Sequence, residues 1–391
     1  MIDFDLCIPT KLYFGKDKEN LVGEILKKEK ATKVLIIIGQ GSVKKSGLFD
    51  KVIASLNKEN ISYSVLEGIR ANPTRELTIK GVSLAKEYKP DFLLAIGGGS
   101  VIDTAKNIAV GFYYDGDSFD YNLHKVKPHK ALPIGVILTI AAAGSEMSNS
   151  CVIQDDISGT KMGFNSDLVR PVFAIENPEL TYSVSKSQTA FGITDILMHT
   201  LERYMQPSMD NEPADAFAEG LMKTVIKAGK KVMQDPHDYE SRATLMLMSS
   251  LSHNGLTSIG KTFAMPVHQL EHPLSGLYPE VAHGEGLAIL WPSWAKYYLP
   301  YEVDKFDSLA RNVFDLHDVD KYKNAEKGIL LMQEFFISLG ISSKLNELNT
   351  TKKISIDALV DKFSQGGTRV VAHHAKPMDQ EVAREIYTNC F

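Results

Sequence analysis

Five residues in the second half of the chain carry the strongest chemical signal. Asp195 and His199 are four positions apart, so on a helix both project from one face and can share a cation. Their neighbours Ile193, Ile196, Leu197 and Leu201 are apolar, which makes that helix partly buried. A buried aspartate is costly unless it is paired or metal-bound. Taken alone, an Asp–His pair at this spacing is common on helix surfaces. His268, His272 and His283 shift the balance, because three of the chain's 11 histidines fall within this short stretch. His268 and His272 again share a helix face, and His283 precedes Gly284 and the apolar segment Leu287–Trp291. One carboxylate with three neutral imidazoles suits Fe2+ or Zn2+ and leaves the ion a net positive charge that polarises an alcohol or carbonyl oxygen. Four histidines and one aspartate leave one group over for proton handling. Spacing alone does not say which, and a structural metal or helix-capping histidines would fit it too.

The first half carries a different chemistry. Gly97-Gly98-Gly99-Ser100, followed by Asp103, sits between an apolar strand and a helix. Glycines there let the backbone approach a bulky ligand or take up positive φ. The free N–H groups of the following helix then face an anion such as a pyrophosphate. The run lacks the GxGxxG spacing of the usual dinucleotide fingerprint and the Gly-Lys-Ser/Thr of a Walker motif. A tight, closely packed turn is the plainer reading of this fragment. Gly39-Gln40-Gly41-Ser42 is a second such junction, and Thr139–Glu146 a third. Several of them in one α/β half point to the carboxyl edge of a parallel sheet, where open sheets bind ligands.

The elements that must hold these groups follow from the apolar pattern. Val34–Ile38, Ile61–Leu66, Phe92–Ile96 and Pro133–Ile140 read as strands. They alternate with helices over Val43–Asn60, Arg75–Tyr88 and onward from Ser100 through Ala109. That rhythm predicts a mostly parallel sheet covered by helices. Cys151–Gln154 and Val172–Ile175 read as short strands near an edge or a domain junction. From Ser187 the strand signal nearly vanishes. Phe191–Met205, Pro213–Met233, Asp238–Ser258, Gly284–Tyr298 and Leu330–Leu339 suit helices, and Ser355 and Asp379 are good N-caps for two more. The predicted organisation is an α/β nucleotide-binding domain over 1–184 and an all-helical metal-binding domain over 185–391.

Composition narrows the function classes. A length of 391 residues suits two domains, and 44% apolar with 23% charged residues is ordinary globular usage. Subtracting 48 acidic from 43 basic side chains gives −5, which speaks against a nucleic-acid or anionic-membrane partner. Cys7, Cys151 and Cys390 form neither a disulfide framework nor a thiolate metal pattern, so a reducing compartment is expected. The start Met1-Ile2-Asp3 is unlike a secretory signal, and no apolar run reaches membrane-spanning length. The expectation is a cytoplasmic protein.

With these motifs in hand, the sequence resembles the iron-containing alcohol dehydrogenases, in their branch of NADP-dependent butanol dehydrogenases and aldehyde reductases. Gly39–Gly47, Gly97–Ser100 with Asp103 and Ala105-Lys106, and Thr139–Met147 are similar to that branch, and so are His268–His272 and His283–Ile289. The resemblance implies that Asp195, His199, His268 and His283 ligate Fe2+ or Zn2+ and that His272 stands near the nicotinamide as a catalytic proton relay. It implies that Gly39, Gln40, Gly41, Ser42, Gly97, Gly98, Gly99, Ser100, Asp103 and Thr139 contact the cofactor. The implied reaction is hydride transfer between a small alcohol or aldehyde and a nicotinamide, by a homodimer. Gln40 stands where NAD-specific relatives carry an acidic residue, so NADP(H) is favoured and NAD(H) is admitted. A glycerol dehydrogenase-like enzyme using NAD is the nearest rival. A dehydroquinate synthase-like lyase and a nucleotide-binding protein with a structural metal are more distant ones.

Overall fold

The computed structural model describes residues 1–206, 211–262 and 264–391. It divides into two compact units, Cys7–Val184 and Ser185–Phe391, and Met1–Leu6 groups with the second. The N-terminal residues are tied there by the Ile2 N–H, which donates to Gly260 O at 3.0 Å. Sequence patterning placed them with the α/β half because they directly precede its first elements in the chain.

In Cys7–Val184 the strands are β1 (Lys11–Phe14), β2 (Lys33–Gly39), β3 (Ser62–Ile69), β4 (Phe92–Gly97), β5 (Ile134–Leu138), β6 (Ser150–Asp155), β7 (Thr160–Asn165) and β8 (Phe173–Glu176). Six of them form one sheet in the order β1-β8-β5-β4-β2-β3, with every pairing parallel. Val34–Ile38, Phe92–Gly97 and Ile134–Leu138 are buried throughout. Such unbroken apolar runs are what a parallel sheet covered on both faces requires. The chain leaves β2 for β3 on one side and returns to β4 on the other, so the winding reverses between β2 and β4. A crevice at the carboxyl ends of the strands opens at such a point.

Several expectations change. Val172–Ile175 is the strand next to the edge, where β1, not expected as a strand, pairs outside β8. Lys11-Leu12-Tyr13-Phe14 is too short and mixed to announce a strand. The helix expected over Val43–Asn60 is two helices, Ser42–Lys45 and Leu48–Lys58, separated by Gly47 at φ +76. β6 and β7 form a separate antiparallel pair.

Among the described residues of Ser185–Phe391 the regular elements are helices and short 3-10 turns, with one isolated bridge, Val371–Met378. Ser355 and Asp379 cap their helices as expected, Ser355 accepting from Ala358 N–H and Asp379 from Glu381 and Val382 N–H. The Asp238–Ser258 helix ends at His253, and Gly255 at φ +104 opens a 3-10 turn. The Leu330–Leu339 segment is the end of a longer helix, Lys321–Ser338. No described helix is long and apolar enough to cross a membrane.

Candidate active site

In the helical unit three helices bring the histidines together. Asp195 and His199 lie on helix Lys186–Tyr204, His268 and His272 on helix Pro266–Leu277, and His283 opens helix His283–Tyr298. The last helix approaches the first closely because residue 284 is glycine. A Cβ there would stand 2.2 Å from Phe191 O, inside a backbone atom that cannot yield. Any larger residue would push His283 away from Asp195.

Asp195 Oδ1 is the hub. It lies 3.3 Å from His199 Nδ1, 3.8 Å from His268 Nε2 and 3.9 Å from His283 Nε2. Asp195, His199 and His268 are buried, and their donor atoms lie within 4.8 Å of one another. Asp195 Oδ1, His199 Nδ1 and His268 Nε2 are all without a hydrogen-bond partner among the described residues. Leaving buried polar atoms unpaired costs roughly 1–3 kcal/mol each, so three facing one point call for an occupant. His272 is half-buried, its ring 6.2 Å from that of His283, and it is not among the clustered donors.

Two fully buried glutamates orient the imidazoles. Glu202 accepts from His268 Nδ1–H, and Glu271 pairs in the same way with His283 Nδ1. The Nε2 atoms of both rings are thereby left to face Asp195. Carboxylate–histidine pairs of this kind fix the tautomer and raise the basicity of a metal ligand. Glu202 also closes the start of helix Pro266–Leu277. Its Oε1 accepts Val267 N–H at 2.5 Å and its Oε2 accepts His268 N–H at 3.3 Å. Arg203 beside it donates to His199 O at 2.6 Å.

The charges fit a dication. Asp195, Glu202 and Glu271 against Arg203 leave a net −2 when the imidazoles are neutral, and all four groups are buried. Burial drives the proton off the His268 ring, but Glu202 and Asp195 outweigh it and push the group up to about 9. A metal ion must therefore displace a proton there. Burial, reinforced by His253 and His268, holds His199 well below the ordinary histidine value, so it is a neutral donor. The His253 ring lies 4.1 Å from that of His199.

In the α/β unit the glycine turns stand side by side. Ile38 pairs with Ile96, so Gly39–Ser42 and Gly97–Ser100 leave the carboxyl ends of adjacent strands at the reversal point. Gly41 has φ +126, a conformation that only glycine adopts readily. None of Gly97–Gly99 has positive φ, so that part of the expectation falls and the closely packed turn stands. A Cβ on Gly97 would lie 2.6 Å from Val101 Cγ2, and one on Gly98 2.4 Å from Ile140 Cγ2. These glycines are required for close packing, which keeps the start of helix Gly99–Gly111 bare. Thr139 N–H donates to Gly97 O at 3.1 Å, which places Thr139 at the same edge.

Asp103 stands further back. Its Oδ1 accepts Ser145 Oγ–H at 2.5 Å and its Oδ2 accepts Val152 N–H at 2.9 Å. Its carboxylate thus anchors the Gly144–Met147 turn. Lys106, fully buried, donates to Ser145 Oγ at 2.9 Å, Ser148 O at 2.9 Å and Ser150 O at 2.8 Å. Residue-by-residue reading missed the roles of Lys106, Glu202, Glu271 and His253. Glu202 lies three positions beyond His199 and Glu271 three beyond His268, so helical spacing puts each near a histidine face but does not show that it is buried behind an imidazole.

Comparison with known proteins identifies the family. Residues 9–178 match the iron-containing alcohol dehydrogenase family, and residues 189–390 match the C-terminal part of the Fe-containing alcohol dehydrogenase family. The chain is 41% identical over 394 residues to the NADH-dependent butanol dehydrogenase A of Clostridium acetobutylicum, covering 100% of both. It is 33% identical to the NADPH-dependent aldehyde reductase YqhD of Escherichia coli, covering 99% of both. The crystal structure of an NADH-dependent butanol dehydrogenase A from Thermotoga maritima superposes with a TM-score of 0.93 at 32% identity, covering 100% of this chain and 99% of that one. The chain belongs to the iron-containing alcohol dehydrogenase family. It is an oxidoreductase of the alcohol dehydrogenase and aldehyde reductase type, a class that works with a nicotinamide cofactor and iron.

Proposed function

We propose that the enzyme interconverts primary alcohols and aldehydes of the butanol and butanal kind, with NADP(H) favoured over NAD(H), at a divalent ion held by Asp195, His199, His268 and His283. The observation that carries this reading is the convergence of His199, His268 and His283 ring nitrogens on Asp195 Oδ1, backed by Glu202 and Glu271. Fe2+ and Zn2+ both suit one carboxylate and three imidazoles, and supply governs which is bound.

The ion, when bound, contributes positive charge that polarises the alcohol or carbonyl oxygen, and the nicotinamide contributes the hydride acceptor or donor. The protein does the rest. Glu202 and Glu271 hold the two ring tautomers. Backbone N–H groups at Gly98–Ser100 would hold the pyrophosphate, and Gly39–Ser42 would take the adenosine end. Thr139 and the Asp103-anchored turn complete the cofactor edge. His272, one helical turn from His268 and half-exposed, accepts the hydroxyl proton at a ring nitrogen during oxidation and returns it during reduction. Family resemblance supports a homodimer, and the three unlinked cysteines suit a reducing, cytoplasmic setting. The direct test follows the nicotinamide absorbance with an aldehyde panel, both reduced cofactors, and enzyme loaded with Fe2+ or Zn2+. Absence of turnover on every aldehyde would sink the reading.

His272→Ala separates proton handling from metal binding. The variant is expected to keep its metal, lose about a hundredfold or more in kcat, and shift its pH–rate profile. An unchanged profile with a raised KM would leave His272 only a pocket-shaping role.

Cofactor choice turns on Gln40. The relatives divide: four butanol dehydrogenases at 38–41% identity are named for NADH, and the aldehyde reductase at 33% is named for NADPH. Gln40 is exposed and neutral between two glycines, so no carboxylate there repels a 2′-phosphate. Lys44, a candidate to approach that phosphate, pairs instead with Glu67. The preference therefore rests on absence of repulsion and not on a dedicated clamp. Gln40→Asp is expected to turn the NADPH/NADH ratio of kcat/KM toward NADH by about tenfold or more, a like-charge cost of roughly 1–4 kcal/mol at contact. A parent that prefers NADH, or a ratio that does not move, would refute the electrostatic argument.

A further inference from the structure

Away from the Asp195 cluster, a second group of donors stands where the 371–378 turn meets the start of helix Val303–Phe314. Glu302 pairs with His374 Nε2, and His373 brings a third donor, all within 4.8 Å of one another. The turn that carries the two histidines is built. Val371 and Met378 close it by exchanging hydrogen bonds at 3.0 and 2.9 Å. Tyr298 Oη donates to Lys376 O at 2.9 Å, and the His373 ring packs 4.0 Å from the Tyr298 ring and 5.9 Å from that of Trp294.

We propose that Glu302, His373 and His374 form a second divalent-cation site, of the Zn2+ class, that clamps the 371–378 turn to the start of helix Val303–Phe314. One carboxylate and two imidazoles are a borderline-metal donor set and leave further positions for water. An ion pair alone would use only His374 and Glu302, whereas the arrangement delivers both consecutive imidazoles to one carboxylate. The competing interactions are modest. Ala375 N–H donates to His373 Nδ1 at a long 3.3 Å, and the nearby Lys305 is engaged by Asp215 at 2.6 Å. His374 is exposed, which gives an ion its way in.

The test is Zn2+ stoichiometry by equilibrium dialysis of the full, chelator-stripped chain, with elemental analysis. The parent is expected to hold two Zn2+ per chain. His374→Gln and Glu302→Gln should each lose one and keep the parent's aldehyde-reducing rate, while His268→Ala should lose the other and keep this one. Zn2+ should also raise the Tm of His268→Ala but not that of the His268→Ala, His374→Gln double variant. A single ion in the parent, or two retained in His374→Gln, would overturn the site.

Discussion

His268→Ala is expected to strip the enzyme of its catalytic metal and reduce kcat/KM by about a thousandfold or more, on the order of 4 kcal/mol of transition-state stabilisation. The ring supplies one of the nitrogens that face Asp195 Oδ1, at 3.8 Å, and it is the one whose tautomer Glu202 fixes. Without it an ion keeps one carboxylate and two imidazoles, and the charge that acts on the substrate oxygen is no longer held in place. The fold should survive. The Val267 and His268 backbone N–H groups still donate to Glu202, so the start of helix Pro266–Leu277 stays closed. Cys7–Val184 is a separate compact unit and should keep its nicotinamide affinity. Metal content by elemental analysis, circular dichroism and cofactor titration read the three claims separately. A metal content equal to the parent's, with a normal rate, would remove His268 from the ligand set.

The parts of this arrangement differ in how far the sequence reveals them, and the reason is burial. Asp195 with His199, and His268 with His272, are readable because helical spacing alone puts each pair on one face. The buried strands are readable because interior parallel strands are apolar at every position. Glu202 and Glu271 are harder to read. Glutamate is among the commonest residues on helix surfaces, and only the packing of three helices shows that these two are fully buried behind imidazoles. Gly47 was absorbed into a continuous helix because apolar periodicity resumes in phase after it, and the break is carried by φ alone. The triple glycine reads as a closely packed turn, but which side chains crowd it, Val101 at Gly97 and Ile140 at Gly98, is known only from the structure. Glu302 meets His373 and His374 across a long stretch of chain, beyond any motif.

Glu202→Gln tests whether the buried carboxylates act through the histidines or merely fill space. The two side chains have nearly the same shape, so packing is preserved. Their hydrogen-bonding is not. Glu202 is acceptor-only and takes Val267 N–H, His268 N–H and His268 Nδ1–H together. Glutamine has one oxygen for these donors, and its amide nitrogen brings donors of its own. If the oxygen stays on the backbone N–H groups, the amide faces His268 Nδ1 and favours the tautomer that carries its proton on Nε2. That is the atom needed for the metal. The substitution also removes one of the two uncompensated negative charges that balance a dication. The expected result is a 10–100-fold weaker metal affinity, the usual scale for such partners, read by competition against a chelator of known strength. At saturating metal kcat should largely return, because His268 still reaches the ion once the tautomer is forced, and this separates Glu202→Gln from His268→Ala. In the metal-free protein the native charge on His268 should fall with the loss of Glu202, so metal uptake near neutral pH should release less acid than in the parent. An affinity within about twofold of the parent would mean that Glu202 serves the helix start alone, with the ring held by packing.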